Sequence, residues 1–503
     1  MRKIGIIDIG SNSMRLVIVQ IRPDGSFKII DELRESARLG EEMNGTSLLK
    51  SAKIQTAIEA LKFFRNLCDA LAVSEIICVA TEAVRRAKNK SEFAEQVLKE
   101  TGIQVQILSG AEEAYYDYLG TVNTLDLSQG LIMDIGGSST ELVLVKNRQV
   151  ENLTSLPFGA LTLAQMFHLE GAIKPLDRRN LQRFLKEHFK DIDWLKRDAQ
   201  GDLPLIGIGG SFRNIGKIHR KMINYPLDVA HNYPISSTAI QNIYEMIGGL
   251  SQNERKNIKG LSKDRADIFP GALAAITQLL EFTGTANVII SGAGLREGIF
   301  YKHVRQTVPL PQNLLDLSLQ NVMHNYEINE NHANHVWDLA RQLYHQFQKQ
   351  FDMAQDQEKV LQTAALLHDS GISVSYYDHH KHSFYLILNS RINGLTQKEL
   401  MMAAWAATLH RKDEVRITAP FRTFLSKEEI QSVQQLGMLL RISESLDRRQ
   451  NGNVDKIECT FKGSVTLLKV SSKVNPGLEI NDALSVAPSF KKVFKNWLQI
   501  EEA

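Results

Sequence analysis

The sequence is poor in cysteine and lacks long apolar stretches. Its 503 residues include only three cysteines, Cys68, Cys78 and Cys459, and no two of them have CxxC spacing. This excludes a disulfide scaffold and is typical of reduced thiols in the cytoplasm. No uncharged apolar stretch reaches the roughly 18 residues that a membrane span needs, and Asp8 interrupts the apolar run at the start of the chain. We therefore expect a cytoplasmic protein with neither a signal peptide nor a membrane partner.

The sequence also lacks a surplus of charge of either sign. Lys and Arg total 59 against 57 Asp and Glu, which leaves a formal net charge of +2. This balance argues against a uniformly basic surface, and we expect no specific nucleic-acid partner. With 43% hydrophobic and 23% charged residues, the chain can form sizeable cores and is neither disordered nor collagen-like. At about 150 residues per domain, roughly three domains are expected.

Short apolar runs alternate with helical patterns over the first two-thirds of the chain. The runs are rich in Ile, Val and Leu, and they predict strands over 4–8, 15–21, 75–79, 104–108, 130–134 and 141–145. Amphipathic patterns predict helices over 51–71 and 91–101. Together they indicate an α/β fold whose strands are buried on both faces.

The pattern changes after residues 308–312, which resemble a linker. Helical patterns then dominate, over 333–351, 358–368, 397–409 and 427–446, and a late strand is predicted over 465–470. Most of the histidines also lie in this part. We predict a separate, mainly helical domain with a small α/β tail.

One β-turn-β unit occurs twice in the α/β part. The first reads Ile6-Ile-Asp8-Ile-Gly-Ser-Asn-Ser13 and the second reads Ile132-Met-Asp134-Ile-Gly-Gly-Ser-Ser139, and an apolar strand follows each. The two aspartates are 126 residues apart, a reasonable size for one lobe. The repeat predicts a duplicated, two-lobed fold with a cleft between the lobes, where glycine allows a phosphate to approach the backbone.

These two turns carry the strongest chemical signal. A carboxylate at a strand end beside glycine N–H groups can hold Mg²⁺ while the turn binds phosphate oxygens. Asp8 and Asp134 have this setting, and Glu141 could supply a further metal contact. A single Asp-Ile-Gly would be only a strand and a turn, but two at lobe spacing favour a site. Two more glycine turns follow, at 207–210 and 292–298.

Three arginines and two adjacent glutamates are further candidates. A guanidinium can pair two phosphate oxygens, so Arg15, Arg85 and Arg213 are candidate clamps, although each alone reads as a solvated surface residue. Glu112 and Glu113 follow a predicted strand and a glycine. They are either ordinary acidic residues at a helix start or include a general base that deprotonates water. Adjacent helical residues point apart, so only one of them should face the cleft.

The helical part contains an ordered series of histidines and aspartates. It comprises His332, the adjacent pair His368 and Asp369, and Asp447, with further histidines between them. Imidazole and carboxylate groups together suit a divalent metal ion. Any one of these histidines alone would be a surface or core residue.

With these residues in view, the chain resembles the exopolyphosphatase/guanosine pentaphosphate phosphatase family, Ppx/GppA. The motifs that carry the resemblance are Asp8-Ile-Gly-Ser-Asn-Ser-Met-Arg15, Ala80-Thr-Glu-Ala-Val-Arg85, Ser109-Gly-Ala-Glu-Glu113, Asp134-Ile-Gly-Gly-Ser-Ser-Thr-Glu141, Pro157-Phe-Gly-Ala160, Gly207-Ile-Gly-Gly210 and Gly294-Leu-Arg-Glu-Gly298. The match runs from Ile4 to about Tyr301. It implies an actin-like, two-lobed phosphatase core of the sugar kinase and heat-shock ATPase superfamily.

The resemblance implies a role for each part of the core. Glu113 would be the general base for water attack on a terminal phosphoryl group, and Asp8, Asp134 and Glu141 would organise Mg²⁺. Together with the candidates above, the phosphate-binding set is Ser11, Asn12, Arg15, Arg85, Gly136, Gly137, Ser138, Ser139, Gly209 and Gly210. Residues 1–125 would form lobe I and residues 126–305 lobe II.

Residues 306–503 resemble the HD phosphohydrolase superfamily. His332, His368, Asp369 and Asp447 lie at its metal positions, so a second divalent metal would bind there. Fold analogy does not decide between a second catalytic centre and a scaffold.

Three functions are compared. The first is release of terminal orthophosphate from linear polyphosphate, and the second is hydrolysis of guanosine pentaphosphate, alone or in a bifunctional enzyme. The third is a non-catalytic nucleotide-binding regulator, against which Glu113 argues because a binding module needs no base. A homodimer is expected from the family and from base rates.

Overall fold

The computed structural model describes residues 1–41, 47–199, 201, 203–307, 313–354, 356–411, 421 and 424–503. The chain divides into two compact units, residues 1–310 and 311–503. The linker predicted over 308–312 lies outside the described residues. Within the described ranges, no helix is both long and apolar enough to cross a bilayer.

The first sheet of the first unit has five strands in the order β3-β2-β1-β4-β5. Its strands are β1 (Arg2–Ile9), β2 (Met14–Ile21), β3 (Phe27–Glu35), β4 (Glu75–Ala80) and β5 (Val105–Ile107). The first three strands form an antiparallel meander, and β4 and β5 run parallel to β1. The helices that follow these strands are α1 (Ser51–Ala70), α2 (Glu82–Arg86) and α3 (Lys90–Thr101).

The second sheet repeats this plan and adds a strand, in the order β10-β11-β9-β6-β7-β8. Its strands are β6 (Gly130–Ile135), β7 (Thr140–Lys146), β8 (Gln149–Leu156), β9 (Leu205–Ile208), β10 (Tyr233–Ser236) and β11 (Asn287–Ile290). The remaining helices of the unit are α4 (Gly110–Val122), α5 (Ala160–Met166), α6 (Pro175–Lys190), α7 (Asp193–Asp198), α8 (Gly209–Met222), α9 (Ser237–Gly248), α10 (Gln252–Arg255), α11 (Phe269–Thr283) and α12 (Leu295–Thr307). The two sheets and their helices form the actin-like α/β core expected from the sequence.

The repeated β-turn-β units have the same register in the two sheets. Asp8 pairs with Arg15 across β1 and β2, and Asp134 pairs with Glu141 across β6 and β7. In both sheets the aspartate strand then pairs in parallel with the next inner strand, β4 or β9. The repeat in the sequence is therefore a repeat in structure, and it places both aspartates at the same end of equivalent strands.

Two helices cross tightly at glycines. Ala114, Tyr118 and Val122 of α4 pack on the second sheet, whereas α12 packs against α4 and β1. A Cβ atom on Gly298 would lie 1.9 Å from the Tyr116 carbonyl oxygen, and one on Gly120 would lie 2.2 Å from that of Gly294. No real Cβ approaches backbone so closely, so this crossing requires glycine in both helices.

The second unit is mainly helical and ends in a small sheet. Its helices are α13 (Leu314–Asn325), α14 (Glu330–Gln350), α15 (Glu358–Leu367), α16 (His379–Asn389), α17 (Gln397–Thr408), α18 (Lys427–Leu446), α19 (Gly477–Leu484) and α20 (Ala487–Phe494). The sheet has the order β12-β13-β14, with strands β12 (Val454–Lys462), β13 (Val465–Ser472) and β14 (Trp497–Glu502). The bounds of α14, α15, α17 and α18 agree closely with the four predicted helices, and β13 agrees with the late strand.

We predict that Gly298→Ala destabilises the first unit. The added methyl would overlap the Tyr116 carbonyl, and overpacking of this kind costs typically about 1–3 kcal/mol, more than the roughly 1 kcal/mol that alanine gains over glycine in a helix. Urea unfolding measures the change. Gly171→Ala is the matched control, because a Cβ there has no neighbour within 4 Å. Equal stability of the two variants would contradict the tight crossing.

Candidate active site

The two repeated turns lie against each other. In the first turn the Gly10 N–H donates to the Ser13 carbonyl (3.2 Å), and in the second the Gly136 N–H donates to the Ser139 carbonyl (3.0 Å). A Cβ atom on Gly137 would lie 3.1 Å from the Cβ atom of Ser11. The strand ends that carry the two aspartates therefore meet, and both turns line a single cleft.

The start of α5 holds the second turn in place. The Ala160 N–H donates to the Gly136 carbonyl (2.9 Å), and the Leu161 N–H donates to the Gly137 carbonyl (2.8 Å). A Cβ atom on Gly159 would lie 2.7 Å from the Gly136 carbonyl oxygen. Glycine is therefore required at position 159, which accounts for the Pro-Phe-Gly-Ala motif in the sequence.

The two glutamates at the start of α4 have different surroundings. Ser109 caps this helix, and the Glu112 carboxylate accepts hydrogen bonds from the Ser109 N–H and hydroxyl, both at 2.8 Å. Glu113 instead lines the cleft, where its carboxylate accepts a hydrogen bond from Arg85 Nη1 at 2.8 Å. Glu112 thus serves the helix start, and Glu113 is the glutamate available for chemistry.

The cleft has a volume of about 140 Å³ and contains groups of both charges. Its carboxylates are those of Asp8, Glu113, Asp134 and Glu297. Its guanidinium groups are those of Arg15, Arg213, Arg265 and Arg296. The glycine turns at 136–137 and 209–210 also line it. Such a cleft offers oxygen ligands to a cation and N–H donors to an anion.

The carboxylates of the cleft are buried close to one another. The pKa of Glu113 is raised to about 8, chiefly by burial; Arg85 acts in the opposite direction, and the charges of Asp134 and Asp8 contribute to the rise. Burial also raises the pKa of Asp134 to about 6 and raises that of Asp8. Oxygen ligands that repel one another in this way fit a hard divalent cation such as Mg²⁺, which would neutralise them.

The arginines of the cleft also repel one another. The pKa of Arg15 is lowered to about 10, chiefly by burial and also by the nearby charges of Arg213 and Arg296. The pKa of Arg265 also falls to about 10, through burial and through Arg213. All remain charged at neutral pH, so a polyanion bound here would relieve their repulsion.

Most of the predicted core residues come together in this cleft. It is lined by Asp8, Ser11, Asn12, Arg15, Glu113, Asp134, Gly136, Gly137, Ser139, Gly209 and Gly210. Ser138 lies beside the cleft, in a smaller pocket with Glu82 and Arg86. Glu141 is buried behind it, with its carboxylate accepting a hydrogen bond from the Ser155 hydroxyl at 2.8 Å.

Arg85, predicted as a phosphate clamp, makes three contacts within the protein, and its role toward phosphate stays a prediction. Besides Glu113, its guanidinium contacts the Glu82 carboxylate (2.7 Å) and the Leu108 carbonyl oxygen (2.9 Å). In this arrangement Arg85 fixes the position of the Glu113 carboxylate.

Comparison with known proteins identifies the family. The sequence model of the Ppx/GppA phosphatase family matches residues 17–307, more than half of the chain. The chain belongs to the Ppx/GppA phosphatase family. A second model, for domain III of Ppx/GppA phosphatases, matches residues 315–483.

Solved Ppx/GppA structures resemble the first part of the chain. A crystal structure of the Aquifex aeolicus member of the family is 28% identical, with a TM-score of 0.53, and the match covers 61% of this chain and 98% of that one. A crystal structure described as an exopolyphosphatase from Cytophaga hutchinsonii is 24% identical, with a TM-score of 0.57 and the same coverage. These relatives support the fold of the core, and they are shorter than this chain.

Further charged residues for which the sequence predicts no role lie in the cleft, as Arg265 and Arg296 do, or are buried behind it, as Asp117 is. Arg296 belongs to a glycine turn that was noted, but no role was predicted for it. Arg265 lies in a short 3-10 turn with no motif around it, and a Cβ on Gly210 would lie 2.3 Å from its Cζ atom. Asp117 is fully buried one helical turn after Glu113, and burial raises its pKa well above the ordinary value. The i,i+4 spacing of two acids could have indicated Asp117.

The domain III region brings together three of its four predicted metal residues. Ligand atoms of His332, His368 and Asp369 lie within 4.8 Å of one another. The carboxylate of Asp447 accepts a hydrogen bond from His332 Nδ1 at 2.7 Å and another from the Gly452 N–H at 3.0 Å. Resemblance of this region to HD phosphohydrolases stays a prediction.

We predict that, in chelator, the free energy of unfolding falls as pH rises through the neutral range. Asp134 and Glu113 have folded pKa values of about 6 and about 8, against ordinary values of 3.8 and 4.5. Groups with raised pKa contribute stability that is present below the ordinary value and is lost as pH rises through the folded value. Urea unfolding between about pH 5 and pH 9 should show this fall, on the order of 1 kcal/mol or more.

Glu113→Gln should reduce this fall in the free energy of unfolding with rising pH, because it removes one of the groups that ionise. Glu112→Gln is the control, because the pKa of Glu112 is lowered by its hydrogen bonds to Ser109 and the group is ionised throughout this range. If the free energy of unfolding of Glu113→Gln fell with pH as much as that of wild type, the pKa of Glu113 would not be raised by folding.

Proposed function

We propose that the chain is an exopolyphosphatase that releases orthophosphate from the end of linear polyphosphate. The observation that carries this proposal is the position of Glu113. It is a buried carboxylate with a pKa of about 8, held by Arg85 at 2.8 Å in a cleft that also contains four arginines. A general base works best when its pKa is near the working pH.

The charges of the cleft suit a phosphate chain and a divalent cation. Arg15, Arg213, Arg265 and Arg296 and the glycine N–H groups would bind phosphate oxygens. Asp8 and Asp134 would hold Mg²⁺, with the buried Glu141 behind them as a further oxygen donor. When bound, Mg²⁺ would neutralise charge on the phosphoryl oxygens and on these carboxylates.

In the proposed reaction, Glu113 accepts a proton from a water molecule. The water oxygen forms a bond to the terminal phosphorus, and the bond from that phosphorus to the bridging oxygen breaks on the opposite side. The products are orthophosphate and a polyphosphate chain that is one unit shorter. Arg85 keeps the Glu113 carboxylate in place, and the four arginines hold the phosphoryl oxygens in line, because this reaction depends mainly on positioning and charge.

The lining of the cleft favours polyphosphate over guanosine pentaphosphate. Among the described residues that line it, the apolar ones are Ile135, Ile208, Ile268 and Leu295, and none is aromatic. An aromatic ring is a common platform for a nucleobase, whereas guanidinium groups recognise any phosphate in the chain. A non-catalytic regulator would have no use for Glu113. The homodimer and the cytoplasmic location stay predictions.

Glu113→Gln should lower kcat for phosphate release from long polyphosphate by about 10²–10⁴-fold, the usual contribution of a general base. Gln keeps the size of the side chain and can still contact Arg85, but it cannot accept the proton. Phosphate release in Mg²⁺ measures the effect.

Glu112→Gln is the matched control on the adjacent residue, because glutamine also completes a capping box. It should keep activity near that of the wild type. Equal activity of the two variants would refute Glu113 as the base. If folded wild-type protein released phosphate from neither polyphosphate nor guanosine pentaphosphate, the proposed hydrolase activity would be refuted.

Arg265→Gln should raise KM for polyphosphate by about tenfold, the equivalent of one charge-assisted hydrogen bond, or about 1.4 kcal/mol. The effect on kcat should be smaller, because Arg265 is proposed to bind substrate and not to transfer the proton. Arg178→Gln is the control, because Arg178 forms a surface ion pair with Glu245 and does not line the cleft. An unchanged KM in Arg265→Gln would remove this arginine from the binding surface.

A further inference from the structure

Asp117 in α4 is a buried acid that the proposed reaction leaves without a role. The residue is 1% exposed, and neither of its carboxyl oxygens has a hydrogen-bond partner among the described residues. It lies one helical turn after Glu113, so the two acids share one face of the helix. A buried polar atom without a partner is costly, and an unpaired buried carboxylate is far more so. The carboxyl group therefore calls for a partner that the described residues do not supply.

The Asp117 carboxyl lies next to the glycine turn that precedes α12. A Cβ atom on Gly294 would lie 3.3 Å from Asp117 Oδ1 and 2.6 Å from Ile208 Cγ2. Both Gly294 and Ile208 line the cleft, and Ile208 pairs with Asp134 across β9 and β6. Asp117 thus approaches, from α4, the strand end that carries Asp134.

The charges around Asp117 are those of other acids. Burial raises its pKa well above the ordinary value, and neighbouring charges add to the rise, in decreasing order those of Asp134, Glu141, Glu113 and Asp8. Arginine charges act against the corresponding rise in Asp8, Asp134 and Glu113. Glu141 accepts a hydrogen bond from a serine hydroxyl. The strongest charges acting on Asp117 are instead all negative, so its ionised form needs a cation from outside the chain.

We propose that Asp117 is a further oxygen ligand of the divalent-cation site in the first unit, in addition to Asp8, Asp134 and Glu141. The inference rests on the Mg²⁺ site of the proposed function and adds to it a ligand from α4. Mg²⁺ takes carboxylate oxygens and keeps several of its waters, so an acid at the edge of such a site can bind the ion directly or through one of these waters. The ion would supply the positive charge that Asp117 lacks.

The two acids on this face of α4 then have separate tasks. Glu113 is held by Arg85 and lines the cleft, where it can accept a proton from water. Asp117 is closed off from solvent, which suits an ion ligand and not a group that exchanges protons with water. Residues at i and i+4 of a helix have Cβ atoms about 5–6 Å apart. A single helix would therefore fix the distance between the base and a ligand of the cation.

A neutral Asp117 carboxyl is the competing explanation. A protonated carboxyl can donate one hydrogen bond to a neighbouring carboxylate and would then need no cation. Asparagine has nearly the same shape and also donates through its amide, so it would replace a neutral aspartic acid without loss. It cannot replace the charge of a carboxylate ligand. Asp117→Asn therefore separates the two explanations.

Mg²⁺ binding to the whole chain tests the proposal. The protein is treated with chelator and desalted, and its affinity for Mg²⁺ is measured by titration calorimetry without substrate. Mg²⁺ is the probe because it prefers oxygen ligands to imidazole. We expect Asp117→Asn to raise the Kd for Mg²⁺ by about 10–100-fold, the usual effect of losing a group that supports a metal site. Asp126→Asn is the control, because this aspartate is 78% exposed in a surface ion pair with Arg148 and should leave the Kd unchanged.

Urea unfolding in chelator gives a second readout that a purely structural role would move in the opposite direction. Without metal, Asp117→Asn should unfold at a higher urea concentration than wild type, because it removes a buried carboxyl that has no partner among the described residues. Loss of a residue that only packs the fold would lower the urea midpoint instead. Saturating Mg²⁺ should raise the midpoint of wild type more than that of Asp117→Asn, because wild type binds the ion more tightly.

Two results would overturn the proposal. Equal Mg²⁺ affinity in wild type and Asp117→Asn would favour the neutral carboxyl and would leave the proposed function intact. If wild type bound no Mg²⁺, the cation site of the proposed function and the role of Asp117 would both be refuted. If Asp117→Asn fails to fold, Asp117→Ala gives the same decision, because alanine favours a helix and offers no oxygen to a cation.

Discussion

The core depends on one electrostatic constraint, the burial of several carboxyl groups side by side. Asp8, Glu113 and Asp134 face the cleft, and Asp117 and Glu141 are buried behind it. Burial first, and then the charges of neighbouring carboxylates, raise the pKa values of Glu113, Asp117 and Glu141, so the folded chain alone does not stabilise their ionised forms. Cations satisfy such a set, and the surrounding features follow from it. The arginines approach the same cleft from other elements, and glycine turns leave room for the oxygens of a bound polyanion.

The two copies of the β-turn-β unit differ in the charge of the residue that pairs with the aspartate. Asp8 and Asp134 occupy equivalent positions, but their cross-strand partners are Arg15 and Glu141. In the first lobe the residue beside the aspartate is the cation Arg15, which lines the cleft. In the second lobe it is the acid Glu141, which is buried. In the proposed function, one copy of the repeat would therefore serve anion binding, and the other would add to the negative charge that attracts a metal.

The sequence predicts the central strands and the turns well, because residues buried on both faces leave continuous apolar runs. The edge strands β3, β8 and β10 were missed, because one side of each is exposed and charged or polar residues interrupt the pattern. Site residues inside motifs were found from the repeat. Arg265 was not, because it reaches the cleft only when the chain folds over Gly210, more than fifty residues earlier in the sequence. Likewise, no local pattern reveals that Arg85 holds Glu113.

The same reasoning explains why His379 and His410 were missed. The histidines around Asp369 come from four separate helical segments and have no fixed spacing in the sequence, and the resemblance to HD phosphohydrolases indicated only His332 and His368. The direction of the His368 and His410 rings depends on carbonyls that become available where helices end. The two units thus solve one physical problem with different donors. Buried oxygens in the first unit suit a hard cation that binds phosphate, and buried imidazole nitrogens in the second suit softer ions.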